Sequence, residues 1–217
     1  MTLNIFDFDS TLFKSPEPNP ALWNYHKIGK LKSMTSDGGY GWYQDTLTLD
    51  VPFVPEQPSR RWFNEEILDL ALSSSHSEDH VCVLLTGRST LFGDIINRIV
   101  SSVQLEFDHI GLKPIGHDAP NTFDFKIDYI TQLLETYGER VDKLVIYEDR
   151  KRHAERFQQW IDSQLIKSRR LSAGRVILVQ PIPKYLPADL EKQLVNQLMN
   201  KQHQGGGGGG YKRRNYK

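Results

Sequence analysis

Short apolar runs recur along this chain, and stretches of helical periodicity separate them. Leu3–Phe8, Val81–Leu85, Leu144–Tyr147 and Val176–Val179 are compact, apolar and rich in β-branched or aromatic residues, with a lesser run at His109–Leu112. Continuous apolar runs of this length mark strands buried on both faces. Between them, Ile67, Leu68, Ala71 and Leu72 follow a cap at Asn64. Leu91, Phe92, Ile95, Ile96, Ile99, Val100 and Val103 follow Thr90. Ile127, Ile130, Leu133, Leu134 and Tyr137 lie between a Thr122 cap and Gly138. Spacings of three and four put each set on one helix face. Two more helices are expected, over Lys151–Ser163 and over Pro187–Gln202, the latter with Leu190, Leu194, Val195 and Leu198 on one side. Strands alternating with helices predict an α/β fold, a parallel sheet in three layers with helices on both faces.

Residues 14–62 break the pattern. They hold Pro16, Pro18, Pro20, Pro52, Pro55 and Pro58, with Gly38, Gly39 and Gly41, and three of the four tryptophans (Trp23, Trp42, Trp62) beside Tyr25, Tyr40 and Tyr43. This reads as an aromatic, loop-rich insertion after the first strand. The expected organisation is one domain over residues 1–183 that carries this insertion, a C-terminal helix over 184–204, and a disordered tail over 205–217. The tail opens with six glycines, Gly205–Gly210, a flexible linker.

Charge is uneven. Residues 201–217 hold Lys201, Lys212, Arg213, Arg214 and Lys217 and no acid, whereas residues 1–200 carry 22 basic against 27 acidic groups. A basic tail on an acidic body suits a polyanionic partner, or is simply solvated. The lone cysteine, Cys82, lies mid-strand and reads as core; it excludes an internal disulfide framework and a cysteine zinc cluster. No apolar run approaches the ~20 residues of a membrane span. The start, Thr2-Leu3-Asn4, lacks the basic-then-apolar pattern of a secretory leader. An intracellular protein, cytoplasmic or nuclear, with no membrane and no disulfide partner is therefore expected.

Three strands end in chemically loaded residues: Asp7-Phe8-Asp9, Thr86-Gly87-Arg88 and Glu148-Asp149-Arg150. In open parallel sheets, ligands bind beyond these carboxyl ends. Period-two geometry predicts that Asp7 and Asp9 project to the same side. Four hard oxygen donors, from Asp7, Asp9, Glu148 and Asp149, suit Mg²⁺. One acidic pair alone reads as easily as a helix cap or a solvated end; two pairs at one sheet edge favour a cation.

These residues carry a resemblance. Asp7-Phe8-Asp9-Ser10-Thr11-Leu12-Phe13, Leu84-Leu85-Thr86-Gly87-Arg88, Lys126 near a helix start and Leu144-Val145-Ile146-Tyr147-Glu148-Asp149 resemble, in order, the four motifs of the haloacid dehalogenase (HAD) superfamily of phosphotransferases. Tyr147-Glu148-Asp149-Arg150 with His153 and Phe157, Pro18-Asn19-Pro20 before Leu22-Trp23, and Gly41-Trp42 resemble its fungal Swiss Army Knife RNA-repair branch. The acid-acid-Arg ending is also similar to that of polynucleotide 3′-phosphatase domains. The resemblance implies a Rossmann-like fold and an Mg²⁺-dependent phosphomonoester hydrolase. Asp7 is then the nucleophile that forms an aspartyl-phosphate, and Asp9 the acid/base whose carbonyl also ligates the metal. Thr86 bonds a phosphoryl oxygen, Lys126 offsets charge, and Glu148 and Asp149 complete the metal shell. Asp149 is favoured as direct ligand, because glutamate stands where the superfamily often has aspartate. Lys113 is the alternative to Lys126. Ser10, Thr11, Gly87, Arg88 and Arg150 are candidate phosphate-binding residues, although both arginines also read as partners of nearby acids.

An insertion after the first motif resembles a substrate-selecting cap. Its aromatics either stack on bases or form a local core. Lys167, Arg169, Arg170 and Arg175, with no acid between 163 and 175, add a basic stretch. Together with the tail this favours a phosphorylated substrate on RNA ends or a nucleotide-like phosphate over a small metabolite. A catalytically weak RNA-binding or scaffold protein is the alternative; the paired aspartates argue for the enzyme.

Overall fold

The computed structural model describes residues 1–116 and 119–205. Five parallel strands, β1 (Thr2–Phe6), β2 (His80–Ser89), β3 (His109–Lys113), β4 (Lys143–Glu148) and β5 (Ala173–Leu178), form one sheet in the order β3-β2-β1-β4-β5. The first strand is therefore central. Its registers, Ile5 opposite Val83 on one side and Ile146 on the other, align the carboxyl ends of β1, β2 and β4.

Helices cover both faces. Leu3 and Ile5 of β1 and Val81, Val83 and Leu85 of β2 point toward α4 (Thr122–Tyr137) and α5 (Lys151–Trp160). Phe6, Cys82 and Leu84, one residue out of phase, point toward α2 (Glu65–Ser75) and α3 (Gly93–Ser101). This is the expected three-layer α/β arrangement, with Cys82 buried as core.

Local details differ from expectation. The cap of α4 is Asn121, whose side chain accepts from the backbone N–H groups of Phe123 and Asp124. An asparagine at that position satisfies two otherwise orphaned donors, so Thr122 becomes the first helical residue. The Thr90 start is a 3₁₀ turn over Thr90–Phe92, and the α-helix begins at Gly93, which leaves Leu91 61% exposed. The helix expected over Lys151–Ser163 is α-helical to Trp160 and continues as π turns over Ile161–Ile166.

The insertion is more regular than its composition suggests. It contains α1 (Tyr25–Lys32) and 3₁₀ turns at Thr35–Asp37, Thr46–Leu49 and Arg60–Trp62. It also has a core of its own, built jointly with the last helix, α6 (Ala188–Gly205). Leu31, Tyr40, Trp42 and Phe53 pack against Leu186, Leu194, Val195 and Leu198. Glu191 of α6, fully buried, accepts from Asn19 N–H at 2.7 Å and Trp23 Nε1 at 2.8 Å. Arg98 of α3 clamps the other side by donating to the carbonyls of Leu49, Pro55 and Glu56.

Of the two readings of the tryptophans in this segment, the contacts favour the local core. Trp42 is fully buried and donates to Pro16 O. Trp62 has the Phe13 ring 5.9 Å away and Lys184 Nζ 4.4 Å from its centroid. Trp23 is held by Glu191. Their surfaces serve the protein; Tyr25 is the aromatic left in water, 85% exposed. Within the basic stretch at 163–175, one residue has a structural task. Arg170 donates to the carbonyls of Leu134, Gly138 and Val141, which lie where α4 ends and β4 is about to begin. That is the sheet edge opposite the strand ends described below. Gly205, expected to open the linker, closes α6; the rest of the expected tail, 206–217, lies outside the described residues. Among the described residues, no helix is long and apolar enough to cross a membrane.

Candidate active site

The extended backbone of β1 stops at Phe6, and Asp7 N–H makes a last sheet bond to Tyr147 O at 3.0 Å. Residues 7–13 then close a tight loop. Phe13 N–H bonds Phe8 O at 2.9 Å, Ser10 N–H bonds Phe13 O at 2.8 Å, and Ser10 sits in the left-handed region at φ 61°. Period two holds only in extended chain, so the two aspartates part. Asp7 turns to Lys126 and Asp9 turns to Arg88, which corrects the expected same-side projection.

Lys126, in the second turn of α4 and 2% exposed, donates to Asp7 Oδ1 at 2.8 Å and to Glu148 Oε2 at 2.9 Å. The other oxygen of Glu148 accepts from Arg150 Nε at 2.8 Å. Among the described residues, the side chain of Asp149 has one long contact, from Thr11 Oγ1 at 3.5 Å. Asp7, Glu148 and Asp149 each offer an oxygen within 4.8 Å of the others. The structure thus brings Asp7, Lys126, Glu148, Asp149, Thr11 and Arg150 to one place. Lys113, at the end of β3, is two strands from β1. The Asp9 carboxylate, expected among the metal ligands, lies in a separate pair with Arg88.

Of its two readings, Arg88 takes that of a partner to a nearby acid. Rather than facing a phosphate, its side chain is 1% exposed and is committed to Asp9 and to the insertion. Arg150 keeps 43% of its side chain exposed and spends only Nε on Glu148, so its terminal nitrogens are placed to meet an anion. Thr86 is fully buried, with its hydroxyl oxygen accepting Arg88 N–H at 3.1 Å. Gly87 follows for a steric reason: a Cβ there would lie 2.7 Å from Thr122 Cγ2, so only glycine lets β2 approach the start of α4. His153 lies with Nδ1 3.9 Å from Glu148 Oε2, and burial together with Arg150 pushes its pKa down to about 4.

The three clustered acids respond differently to the same burial. Burial, then the charges of Asp7 and Glu148, pushes Asp149 up to about 7. Burial raises Asp7 too, against the pull of Lys126. In Glu148 the penalty of burial is outweighed by Lys126 and Arg150, which hold it at about 2. Glu148 is therefore spent on cations, while Asp7 and Asp149 repel each other across a gap that a divalent cation fits. This donor set of carboxylates without histidine or thiol suits Mg²⁺ and favours Asp149 over Glu148 as the direct ligand.

A stability prediction follows. A carboxyl whose folded pKa is raised favours the fold at low pH and costs stability as pH rises through its folded value. In EDTA, Asp149→Asn is thus expected to raise the melting temperature at pH 8 by about 2–8 °C, from roughly 1–2 kcal/mol after allowing for solvent screening of this part-exposed group. The gain should shrink as pH falls from 7 toward 4, and Mg²⁺ should stabilise the parent but not the variant. A variant that melts lower than the parent in EDTA at pH 8 would mean that Asp149 is satisfied without a cation.

The family model described as HAD domain family 1 in Swiss Army Knife RNA repair proteins matches residues 15–204, a span that includes Thr86, Lys126, Glu148 and Asp149 and begins just after Asp9. The uncharacterized protein YMR265C of Saccharomyces cerevisiae is 28% identical over an alignment of 211 residues that covers 92% of this chain and 44% of that protein. The chain thus spans less than half the length of this curated relative. Among solved structures, the HAD domain of effector protein Lem4 from Legionella pneumophila is similar at 10% identity and a TM-score of 0.43, covering 92% of this chain and 93% of that one. By its family match, the chain belongs to HAD domain family 1 of Swiss Army Knife RNA repair proteins.

Proposed function

We propose that this chain is an Mg²⁺-dependent phosphomonoester hydrolase that works through an aspartyl-phosphate on Asp7, with phosphorylated RNA ends or nucleotide-like phosphates as substrates. The family's fold is that of phosphatase-type hydrolases. The observation that carries the finer reading is Lys126, buried between Asp7 and Glu148 at 2.8 and 2.9 Å. Burying an ammonium and two carboxylates is expensive and brings little stability; the same arrangement beside a nucleophile supplies fixed positive charge for an in-line phosphoryl transfer. A scaffold has no use for it.

Asp7 attacks phosphorus and the ester oxygen departs. Lys126 holds the Asp7 carboxylate and faces the charge that gathers on the phosphoryl oxygens. Arg150, oriented by Glu148, offers its free nitrogens to the same oxygens. Thr86, Thr11 and Ser10 line the turn where a phosphoryl oxygen would sit. Asp9 takes the proton of the water that cleaves the acyl phosphate: Arg88 outweighs burial and holds its carboxyl below the usual carboxylate range, so it acts as the base, and the leaving oxygen draws its proton from solvent. Mg²⁺, held by Asp7 and Asp149, would offset the repulsion between the nucleophile and an anionic substrate. Support for RNA ends comes from the family's description and from the cationic, aromatic sequence 211–217.

Hydrolysis of an aryl phosphate with Mg²⁺ and with EDTA tests the chemistry: turnover is expected only with the metal, and full activity in a metal-free preparation would overturn the reading. Rates on RNA carrying 3′-, 2′- or 5′-phosphate beside those on small phosphates test the substrate. An RNA end is expected to exceed small phosphates in kcat/KM by about tenfold or more, an advantage of at least 1.4 kcal/mol in transition-state binding. Parity would assign the site to small metabolites.

A further inference from the structure

We infer that Arg88 is a positioning residue, a buried strut through which the insertion fixes the Asp9 carboxylate for its work at Asp7. The inference rests on the function proposed above, because the placement of Asp9 matters to turnover only if Asp9 moves a proton.

All three guanidinium nitrogens of Arg88 are engaged. Nε donates to Asp9 Oδ2 at 3.0 Å and Oδ1 at 3.2 Å, and Nη2 donates to Asp9 Oδ1 at 2.7 Å. Nη1 reaches the other way, to Tyr43 O at 3.0 Å and Thr48 Oγ1 at 3.2 Å. Thr48 is fully buried and gives its own proton to Asp45 O at 2.9 Å, so its oxygen is aimed as an acceptor. The Tyr43 and Phe92 rings lie 5.2 and 4.8 Å from the guanidinium carbon. Arg88 therefore has no freedom of its own. Its place on β2 explains the reach: the pairing with β3 shifts between Thr86 and Ser89, and such irregularities re-aim side chains at the ends of strands.

Asp9 is the opposite case. It stands in a turn, outside β1, with its side chain 23% exposed. A carboxylate in such a place explores several rotamers unless something holds it. The two-pronged contact with Arg88 sets both its direction and the plane of its oxygens. The far end of the strut is Tyr43 and Thr48, in a segment held rigid by Arg98 and by the core shared with α6. The insertion thus contributes to the reaction itself, apart from any choice of substrate.

The test is a set of single and double variants of the full chain, assayed for kcat and KM on an aryl phosphate with Mg²⁺. Arg88→Lys keeps the charge but loses the fork, and is expected to lower kcat by roughly 10- to 100-fold with KM within about twofold. Thr48→Val removes one contact of the strut, and is expected to lower kcat by about three- to tenfold with the same unchanged KM. In an Asp9→Asn background neither change should lower kcat further, because residues that act as one unit do not add. An Arg88 that gripped phosphate would raise KM and multiply its loss with that of Asp9→Asn; either result overturns the inference while leaving the phosphatase reading intact. Parental kcat in Thr48→Val also overturns it, and this variant carries the test if Arg88→Lys does not fold. Parental kcat in Asp9→Asn would instead remove the base role itself, and the inference with it.

Discussion

Replacing Asp7 with asparagine is expected to lower hydrolysis of an aryl phosphate by about 10³-fold or more while leaving the protein folded. Asparagine matches the shape of aspartate, but its amide is no nucleophile. Lys126 keeps its second bond, to Glu148 at 2.9 Å, so no buried ammonium is orphaned. Because burial already raises the pKa of Asp7, removing its charge should leave the metal-free melting temperature level or higher. Steady-state rates with Mg²⁺ and thermal melts in EDTA check the two halves. Turnover within tenfold of the parent would move the nucleophile elsewhere.

The second large effect is on stability. Arg88→Met is expected to lose about 3–5 kcal/mol, because it strands one member of a desolvated ion pair. For a chain of this size that is a fall in melting temperature of roughly 6–20 °C. Methionine fills the space between the Tyr43 and Phe92 rings, so the loss is polar: Asp9, Tyr43 O and Thr48 Oγ1 all lose their donor. Asp9 is 23% exposed, and water can reach it in part, which favours the lower end of the range. Arg88→Met/Asp9→Leu should recover much of the loss, since no unpaired charge then remains. A fall of less than about 3 °C in the single variant would show that solvent replaces the guanidinium at little cost.

What could be read beforehand follows physical range. Central parallel strands are apolar on both faces, so Leu3–Phe8, Val81–Leu85 and Leu144–Tyr147 announce themselves, and with them the edge where Asp7, Thr86 and Glu148 emerge. Lys126 sits on a helix pattern at a readable distance from its start, and the strand order places its alternative, Lys113, two strands from β1. What stayed hidden depends on contacts across long separations. Arg88 and Thr48 are 40 residues apart, and nothing local in either marks the bond between them. The face of α6 was visible as Leu190, Leu194, Val195 and Leu198, but not its occupant, because an apolar stripe states a need for a partner and not its identity. The tryptophans stay open between two readings for a related reason: composition counts rings but does not show whether both faces of a ring are taken, as they are in Trp62. Asp9 was misplaced because a two-residue rhythm was carried one turn past the end of its strand.

The shared core of the insertion and α6 imposes an order of events during synthesis. Leu31, Tyr40, Trp42 and Phe53 leave the ribosome early, but the surface that shields them, Leu194, Val195 and Leu198, is among the later parts of the described chain. Until that helix arrives, the early aromatic segment has water or a chaperone for company, and Tyr43 and Thr48 have no fixed place from which to hold Arg88. On the proposed function, proton transfer at Asp9 waits for Leu194, Val195 and Leu198 of α6 to dock.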